Sequence, residues 1–508
     1  MEFVNAAIVI AYLAAMLLFG WWGKSRTKNS SDYLVAGRRL GPFLYTGTMA
    51  AVVLGGASTV GGVGLGYRWG ISGAWLVIAI GVGVLLLSLL FAPTLQRLKI
   101  YTVSQMLTLR YGSKNATNTS AIVMLAYTLM LCATSTGAYA TIFVVLFGWE
   151  RWLAIAIGGA IVLVYSTIGG MWSITLADQV QFVIKTVGVF LLMLPFALNA
   201  AGGFGGIRDR VEASFFQWDG IGAQTIVTYF VVYTLGLLIG QDIWQRVFTA
   251  KTPTVARWGG ATAGIYCVLY GIAGAVIGMA ARVALPEIDV ANLGKDVVYA
   301  EVAMNLLPVA VGGLVLAAAV AAMMSTASGA LIAAATVART DVTPFVAGWF
   351  GKTIDVNSGR NPEHDVQANR YWVLGLGVVS IVLAIIVKDV VAALTIAYDI
   401  LVGGLLVAIL GGLVWRRGNG IGAALSMAAG TVVTLTTMIV LEINAEEQYG
   451  GIYANEPIYL GLAASIVVYV AASLLTPATR EEVAHAWRER VAGRVDVEGV
   501  RLEEHRAR

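Results

Sequence analysis

Charge is scarce in this sequence. Only 12% of its 508 residues are Asp, Glu, Lys or Arg, whereas about 25% is usual in soluble proteins. Hydrophobic residues make up 58% of the chain, and apolar stretches of about 18 or more residues, each long enough to cross a bilayer, recur along it. The shortage of charge therefore excludes an ordinary soluble protein and predicts an all-α polytopic membrane protein.

Cysteine and histidine are scarce as well. Cys132 and Cys267, the only cysteines, both lie in apolar segments, which excludes a disulfide framework. None of the three histidines has a second His or Cys at the spacing of metal ligands. P-loop and HExxH motifs are absent, and no nucleophile–base pair stands out, so we expect no enzyme. The small, dispersed net charge of +4 argues against nucleic acid as a partner.

Hydrophobic runs predict about 13 membrane spans. The ninth is too long for one simple span, so part of it is expected to extend into the lining of a loop. The approximate bounds are 3–22, 42–66, 71–95, 119–147, 152–168, 177–199, 222–242, 258–281, 300–338, 371–387, 390–414, 420–441 and 457–475.

Basic residues decide the expected orientation, because Lys and Arg are enriched in cytoplasmic loops. Lys24, Arg26 and Lys28 follow the first span, and seven arginines follow Thr476, whereas the loop from Glu442 to Glu456 has no Lys or Arg. This asymmetry places the N-terminus outside and the C-terminal tail in the cytoplasm of a cell whose plasma (inner) membrane holds the chain. The lipid bilayer is thus an expected partner, and no oligomer is implied.

Two spans contain breaks in their helical pattern. The second reads TMAAVVLGGASTVGGVGLG, with six glycines from Gly55 to Gly66, and the seventh contains GLLIGQDIW, from Gly236 to Trp244. A span breaks in mid-membrane only where its freed backbone groups line a cavity or bind something; close helix packing at glycine is the alternative.

The two broken spans would be the first members of two successive sets of five, which is the order in transporters built from an inverted repeat. We therefore expect a 5+5 inverted-repeat core with two discontinuous helices. The expected divisions are 1–41 (first helix and cytoplasmic loop), 42–199 and 222–414 (the two repeats), 420–476 (two peripheral helices) and 477–508 (cytoplasmic tail).

Three hydroxyls interrupt the ninth apolar run in AAMMSTASG, Ala321 to Gly329. Ala322, Ser325 and Thr326 lie at i, i+3 and i+4 and share one helix face. Their hydroxyls could bond back to carbonyls of the preceding turn, or they could join the carbonyls freed by a broken helix in holding a hard cation such as Na⁺. The residues alone leave both interpretations open.

Four motifs, in order, resemble the sodium:solute symporter family. They are DYLVAGR (Asp32–Arg38), YSTIGGMWS (Tyr165–Ser173), ADQVQ (Ala177–Gln181) and AAMMSTASG itself. The resemblance spans essentially Asp32 to Pro477 and implies the inverted-repeat, leucine-transporter-like fold, with Na⁺ as the coupling ion and a small organic solute as the substrate.

The resemblance also implies a sodium site between the second span and AAMMSTASG. Its ligands would be the carbonyls of Ala51, Leu54 and Ala322 and the hydroxyls of Ser325 and Thr326. Asp178 would support ion coupling. Some family members hold a second sodium with this acid and nearby serines. Ser328 matches one of these serines, but Gly329 replaces the last hydroxyl, so one ion per cycle is expected, and sodium is the only metal.

Lys185 is unusual because a lysine deep in a membrane span must face the interior and be paired. It follows Asp178 by seven positions and so lies on roughly the same helix face. One interpretation is snorkelling or a salt link to Asp178. The other is a built-in cation that occupies ion space or contacts an anionic substrate.

The substrate cavity is expected between the two broken helices, flanked by the fourth span. Aromatic side chains there could cradle a solute, although tyrosines at helical spacing also serve in packing. Asp399 is a lone acid in an apolar span, and we expect it to form a gate together with Tyr398. Asp242 and Arg246 are expected to form a local pair. The predicted cavity residues are Val53, Gly56, Ser58, Thr134, Tyr139, Tyr229, Tyr233 and Gln241.

These expectations add up to a sodium-coupled symporter that imports a small organic solute, such as an amino acid or a monocarboxylate, by alternating access. A proton-coupled carrier of the same fold that uses Asp178 and Lys185 is the alternative. A channel or membrane sensor fits less well, because no repeated filter motif is present.

Overall fold

The chain folds into helices that surround one deeply buried helix. The structure, a computed structural model, describes residues 2–288, 290, 295–354, 356, 361–387, 390–446 and 449–494. Its first half contains α1 (Glu2–Arg26), α2 (Ser30–Val35), α3 (Pro42–Val53), α4 (Gly56–Trp69), α5 (Trp75–Leu86), α6 (Ala92–Leu98), α7 (Val103–Tyr111), α8 (Lys114–Phe147), α9 (Arg151–Thr186), α10 (Leu194–Ala200), α11 (Gly203–Arg208), α12 (Ala223–Tyr229), α13 (Leu235–Leu237) and α14 (Gln241–Thr249).

The second half begins with a long helix that packs against the first broken span. It contains α15 (Pro253–Ala284), α16 (Val297–Asn305), α17 (Val309–Val337), α18 (Thr343–Trp349), α19 (Pro362–Ile386), α20 (Val390–Val414), α21 (Gly420–Ile443), α22 (Glu456–Leu475) and α23 (Glu481–Val491). Short π-helical segments join α5 to α6, α9 to α10, α12 to α13 and α17 to α18.

Ten helices in the described part of the chain are long and apolar enough to cross a membrane, or eleven if the bent pair Ala223–Leu237 and Gln241–Thr249 counts as one span. Two of the ten, Gly56–Leu98 and Arg151–Ala200, contain 43 and 50 residues. Since about 20 residues suffice for one crossing, each has the length of two spans. Gly70 and Gly170, with φ of 64° and 56°, interrupt them. The all-α polytopic fold is confirmed, and the number 13 stays a prediction.

The ninth span differs from its expected bounds. Pro308 precedes α17 with an extended backbone, so residues 297–305 form the separate helix α16 instead of the start of one long span. From Gly312 to Val337 almost every side chain of α17 is buried. This burial places AAMMSTASG in the middle of the protein, in contact with α1, α3, α8 and α9.

Residues expected on one side of the membrane meet in the structure. The backbone of Leu40, before α3, pairs with Thr249 at the end of α14 (N to O 3.1 Å). Arg38 donates to the carbonyl of Lys99 at 2.8 Å. On the opposite side, the Ser72 hydroxyl donates to the carbonyl of Trp218 at 3.0 Å. These contacts are consistent with the order of crossings inferred from the sequence.

Candidate cation and solute site

The first broken span opens at Leu54 and Gly55. Leu54 leaves the helical region with φ −91° and ψ 75°, and Gly55 is extended, with φ −86° and ψ −155°. α4 resumes at Gly56. Because the helical hydrogen bonds are interrupted here, carbonyls at the end of α3 are free to accept other donors.

The hydroxyls of α17 close on these carbonyls. Ser325 Oγ donates to the carbonyl of Ala51 at 2.7 Å and to that of Ala322 at 2.8 Å. Thr326 Oγ1 donates to the carbonyl of Val52 at 2.7 Å. The hydroxyls of Ser325 and Thr326 thus contact carbonyls of their own helix as well as carbonyls of the broken one, and the binding of a cation here stays a prediction. Ser328 Oγ donates to the carbonyl of Ser325 at 3.1 Å.

Glycine is required at position 55 because the first broken span and α17 approach each other closely. A Cβ atom at Gly55 would lie 2.6 Å from Thr326 Oγ1, which is too short for a carbon–oxygen contact. The structure thus brings together the five predicted sodium ligands, Ala51, Leu54, Ala322, Ser325 and Thr326, and adds Val52 as a neighbour that the sequence did not indicate.

The cation among these oxygens is the ammonium of Lys185. Its Nζ donates to the carbonyls of Ala51 at 2.9 Å and of Leu54 at 3.2 Å, and the side chain is fully buried. These are two of the carbonyls expected to bind sodium. The first interpretation of Lys185, snorkelling or a salt link to Asp178, does not describe these two contacts.

Asp178 is paired with Arg246 from the second broken span. Its Oδ2 accepts from the Thr48 hydroxyl and lies 3.1 Å from Arg246 Nη2, and both charged side chains are 0% exposed. The predicted pair of Asp242 and Arg246 is wrong: Asp242 accepts a hydrogen bond from the Tyr127 hydroxyl at 3.0 Å, while Arg246 reaches across to α9. The fold favours this contact because α14 packs against α3 and α17.

Arg246 also explains the glycine at position 329. A Cβ atom there would lie 2.5 Å from Val52 Cγ2 and 3.1 Å from Arg246 Nη2. A serine at 329 would therefore collide with the Val52 side chain and crowd the guanidinium that neutralises Asp178. The guanidinium of Arg246 thus lies beside position 329, where the family resemblance implies the last hydroxyl of a second sodium site.

A narrow cavity lies between the two broken spans and α8. Five predicted residues line it: Val53, Gly56, Ser58, Thr134 and Tyr233. Tyr398, predicted as a gate, also lines it, with its ring 5.2 Å from that of Tyr233. The remaining lining is mostly apolar, from Val52, Gly55, Ala57, Ile80, Leu131, Ser135, Ala138, Leu237, Asp242, Ile243, Thr326 and Leu394.

Three predicted cavity residues lie elsewhere. Tyr139 packs against Phe143 on its own helix, and Tyr229 packs against Tyr233 one turn away from the cavity lining. Gln241 accepts from the backbone of Val103 at 2.8 Å and so anchors α7. Helical spacing alone could not separate these packing roles from cavity lining. The carboxylate of Asp399 is buried beside Tyr398, and neither of its oxygens has a hydrogen-bond partner.

The family follows from a comparison with known proteins. Residues 33–430 match the Sodium:solute symporter family. The chain belongs to this family. The symporter is 24% identical over 488 residues to the osmoregulated proline transporter OpuE of Bacillus subtilis (strain 168), covering 92% of this chain and 93% of that protein. It is 23% identical over 491 residues to a sodium/proline symporter of Staphylococcus aureus (strain JH9), with 92% of each covered.

Solved structures agree on the fold. A substrate-bound, outward-open Na⁺-coupled sialic acid symporter superposes with a TM-score of 0.76 at 16% identity, covering 94% of this chain and 99% of that one. Mhp1, a nucleobase-cation-symport-1 family transporter in a closed conformation, gives 0.54 at 16% identity, covering 92% and 99%. The leucine-transporter-like fold is therefore confirmed. The protein is a transporter, not an enzyme, and its function is sodium-coupled symport of a small solute.

Sequence reasoning missed Thr48 and Arg246 as members of the site. Arg246 stands near the expected cytoplasmic end of the seventh span, where an arginine is ordinary. The available signal was its place on the second broken helix, since half-helices of the two repeats meet at the site in such transporters.

Proposed function

We propose that this symporter imports a small solute that carries a carboxylate, such as an amino acid or a monocarboxylate, across the cell membrane. The sodium that drives import binds between the break of α3 and α4 and the hydroxyl helix α17. The observation that carries the proposal is the convergence of Ser325 and Thr326 on the carbonyls of the break. Neutral oxygens of this kind suit a hard cation.

Sodium at this place would tie the first broken span to α17. An ion can shift a conformational equilibrium only by binding one state more tightly, so the proposal requires that the outward-open state binds sodium best. Loss of the ion to the cytoplasm then frees α3 from α17 and opens the inner side. Asp178 and Ser328 act in this scheme as supports of the ion site, and Tyr398 with Asp399 as a gate.

The cavity supports a carboxylate on the solute. The N-terminal end of α4 faces it at Gly56 and Ala57, and the free N–H groups at the start of a helix favour a negative group. Ser58, Thr134 and Ser135 add hydroxyls. The remainder is mostly apolar and suits a short aliphatic body, and the carboxylate of Asp242, which accepts from Tyr127, is its acidic member. Val53 stands where the resemblance to proline-transporting relatives implies an acid, and its absence weakens proline as the substrate, so proline is only one test substrate among several.

Uptake into proteoliposomes tests the function. We expect proline, another small amino acid or a short monocarboxylate to accumulate when sodium is imposed outside, and not when potassium replaces it. Uptake that is indifferent to an imposed sodium gradient would contradict the proposal. The screen should be run with purified protein, so that endogenous carriers do not contribute.

A matched pair of variants at Thr326 tests the ion site. Thr326→Val removes the hydroxyl at nearly constant shape, and Thr326→Ser keeps it. A hydrogen bond or ligand contact is worth about 1 kcal/mol or somewhat more, so we expect the half-saturating sodium concentration to rise about tenfold in Thr326→Val. Thr326→Ser should stay within about twofold of the unmodified symporter. If Thr326→Val and Thr326→Ser showed the same sodium dependence, the Thr326 hydroxyl would not be a ligand of the ion.

The orientation and the division into repeats belong to this proposal. The positive-inside asymmetry supports an N-terminus outside and a tail inside. The breaks at Leu54–Gly55 and between α13 and α14 support five-helix repeats over 42–199 and 222–414, with the peripheral helices of 420–476 outside them. The arginines of the tail beyond Arg494, which belong to this asymmetry, lie outside the described residues.

A further inference from the structure

A further cavity lies beside the C-terminal helix α23, where two membrane-spanning helices end. Its volume is about 750 Å³, which is within the usual range of ligand pockets, roughly 300–1,000 Å³. The spans of α20 and α22 end next to it, at Val414 and Leu475. Its wall is formed by Arg110 of α7, by the residues around the end of α20 and by one face of α23. It is separate from the sodium and solute site.

Positive charge dominates the wall of this cavity. Of the described residues that line it, Arg110, Arg416, Arg417 and Arg488 are basic and Glu481 is acidic. Glu481 is paired with Arg488 on its own helix. The other three arginines therefore have no acidic partner among the described residues of the wall. The complementary occupant of such a cavity is an anion.

Two of these arginines are fixed by the ends of spanning helices. Arg110 donates to the carbonyl of Trp415 at 3.0 Å, just beyond α20. Arg417 donates through Nη2 to the carbonyl of Leu474 at 3.2 Å, in the last turn of α22, while no described residue accepts from its Nη1. Arg416 is exposed and its side chain pairs with no described residue. Its guanidinium is therefore free to bind a ligand in a wall that the other two hold in shape.

Apolar and aromatic side chains adjoin the arginines. Val414 lines the cavity and is 71% exposed. Leu474, whose carbonyl Arg417 contacts, is 58% exposed. Trp415 and Trp487 also line the cavity, and tryptophan is enriched where a membrane meets water. The cavity therefore lies at the level of the lipid head groups, beside a surface that suits acyl chains.

We propose that this cavity binds the phosphate head group of an anionic phospholipid, whose acyl chains lie along the exposed side chains of Val414 and Leu474. Guanidinium groups bind phosphate oxygens through paired N–H donors, and basic pockets between spanning helices bind acidic lipid head groups. A lipid fits better than a free anion because the arginines stand next to exposed apolar surface. In the proposed orientation the lipid belongs to the cytoplasmic leaflet.

Native mass spectrometry of the purified symporter in mixed micelles tests the site. The protein is titrated with phosphatidylglycerol or with phosphatidylcholine of identical acyl chains. We expect the first phosphatidylglycerol to bind about tenfold more tightly than phosphatidylcholine, because only the former carries a net negative charge. Equal affinity for the two lipids would overturn the proposal. Since a micelle has no sides and no solute is moved, the result depends neither on the proposed orientation nor on the proposed function.

Arg416→Gln removes one charge from the wall, and Arg257→Gln is the matched control. One basic side chain near an anionic lipid contributes about fivefold in affinity. We therefore expect phosphatidylglycerol to bind about fivefold more weakly to Arg416→Gln, with no change for phosphatidylcholine. Arg257 is also exposed, but it stands at the start of α15, outside the cavity wall, so its replacement should leave both affinities unchanged. Equal weakening in the two variants would mean a general charge effect and would overturn the proposal.

A pair of variants on α23 separates the cavity from the charge of the surface. Ala484 lines the cavity, whereas Ala486, two residues further, is exposed on the opposite face of the helix. Ala484→Trp keeps every charge and fills the cavity, so it should lose the preference for phosphatidylglycerol, and Ala486→Trp should keep it. An unchanged preference in Ala484→Trp would overturn the proposal. If Ala484→Trp detaches α23, Arg416→Gln still decides.

Two other occupants are outcomes of the same measurement. Displacement of phosphatidylglycerol by an equal concentration of inorganic phosphate would identify a site for a free anion and overturn the proposal. Binding of the lipid only after removal of residues 495–508 would mean that this segment fills the cavity, which would also overturn it. Retention of the lipid in phosphate, binding by the full chain and weaker binding by Arg416→Gln together support a lipid site.

Discussion

At the scale of single residues, the site is distinguished by two buried side-chain cations. Lys185 bonds the carbonyls of the first broken span, and Arg246 neutralises Asp178. A charge buried in a membrane protein is expensive and must be compensated. The chain therefore ties each of its two broken helices to α9 through a side-chain cation of its own.

Asp178→Asn tests the buried pair. The change leaves the Arg246 guanidinium buried without its counter-charge, and breaking a buried pair costs about 3–5 kcal/mol. We expect the free energy of unfolding in detergent, measured by denaturant titration, to fall by about that amount. Adding Arg246→Met should restore part of the loss, because the unpaired charge is then gone. A double variant no more stable than Asp178→Asn would contradict a direct pairing.

Lys185 and the five proposed sodium ligands could be named from the sequence as neighbours in one site, but Arg246 could not. A lysine in mid-span is conspicuous, and the carbonyls follow from the break together with the family resemblance. The partner of Arg246 could not be read from the chain, because Asp242 at i−4 on the same helix is the simpler local partner. Which of the two acids it contacts depends on how α14 packs against α9, and this is a tertiary property.

At the scale of elements, the break between α3 and α4 is built from glycine for two reasons. The backbone leaves the helical region at Leu54 and Gly55, and α17 approaches too closely for a side chain. Glycine composition predicted the break, whereas the separation of α16 from α17 was missed. Pro308 breaks the helix there within a continuous apolar run, which hydropathy alone cannot detect.

Gly55→Ala tests the close approach. Its Cβ would lie 2.6 Å from Thr326 Oγ1, so α17 must shift away from the broken span. We expect the half-saturating sodium concentration for uptake to rise about tenfold or more, since at least one contact of about 1.4 kcal/mol would be lost. Gly61→Ala, on α4 just beyond the break, is the control: its Cβ would have its nearest neighbour atom 3.8 Å away, so this variant should match the unmodified symporter. Equal loss in both variants would point to a general intolerance of α4.

At the scale of the whole molecule, the order of the crossings was predictable but their number was not. The positions of basic residues and the lengths of the apolar runs predict which loops share a side of the membrane. Contacts such as Leu40 with Thr249 and Ser72 with Trp218 agree with this prediction. The helical runs Gly56–Leu98 and Arg151–Ala200 turn at Gly70 and Gly170, so length and composition alone do not count their crossings.

Cysteine labelling tests the orientation. Ser25, Ser214 and Ala486 are exposed, and the native Cys132 and Cys267 are buried, so the unmodified protein should react little with a membrane-impermeant maleimide and serves as the control. We expect Ser214→Cys to react in intact cells, because the proposed orientation places the loop between α11 and α12 outside. Ser25→Cys and Ala486→Cys should react only after permeabilisation, since the proposed orientation places both in the cytoplasm, with an even number of predicted crossings between them. Labelling of Ser25→Cys and Ala486→Cys from opposite sides of the membrane would require an odd number of crossings between them. Labelling of both in intact cells would mean that the topology is the inverse of the proposed one.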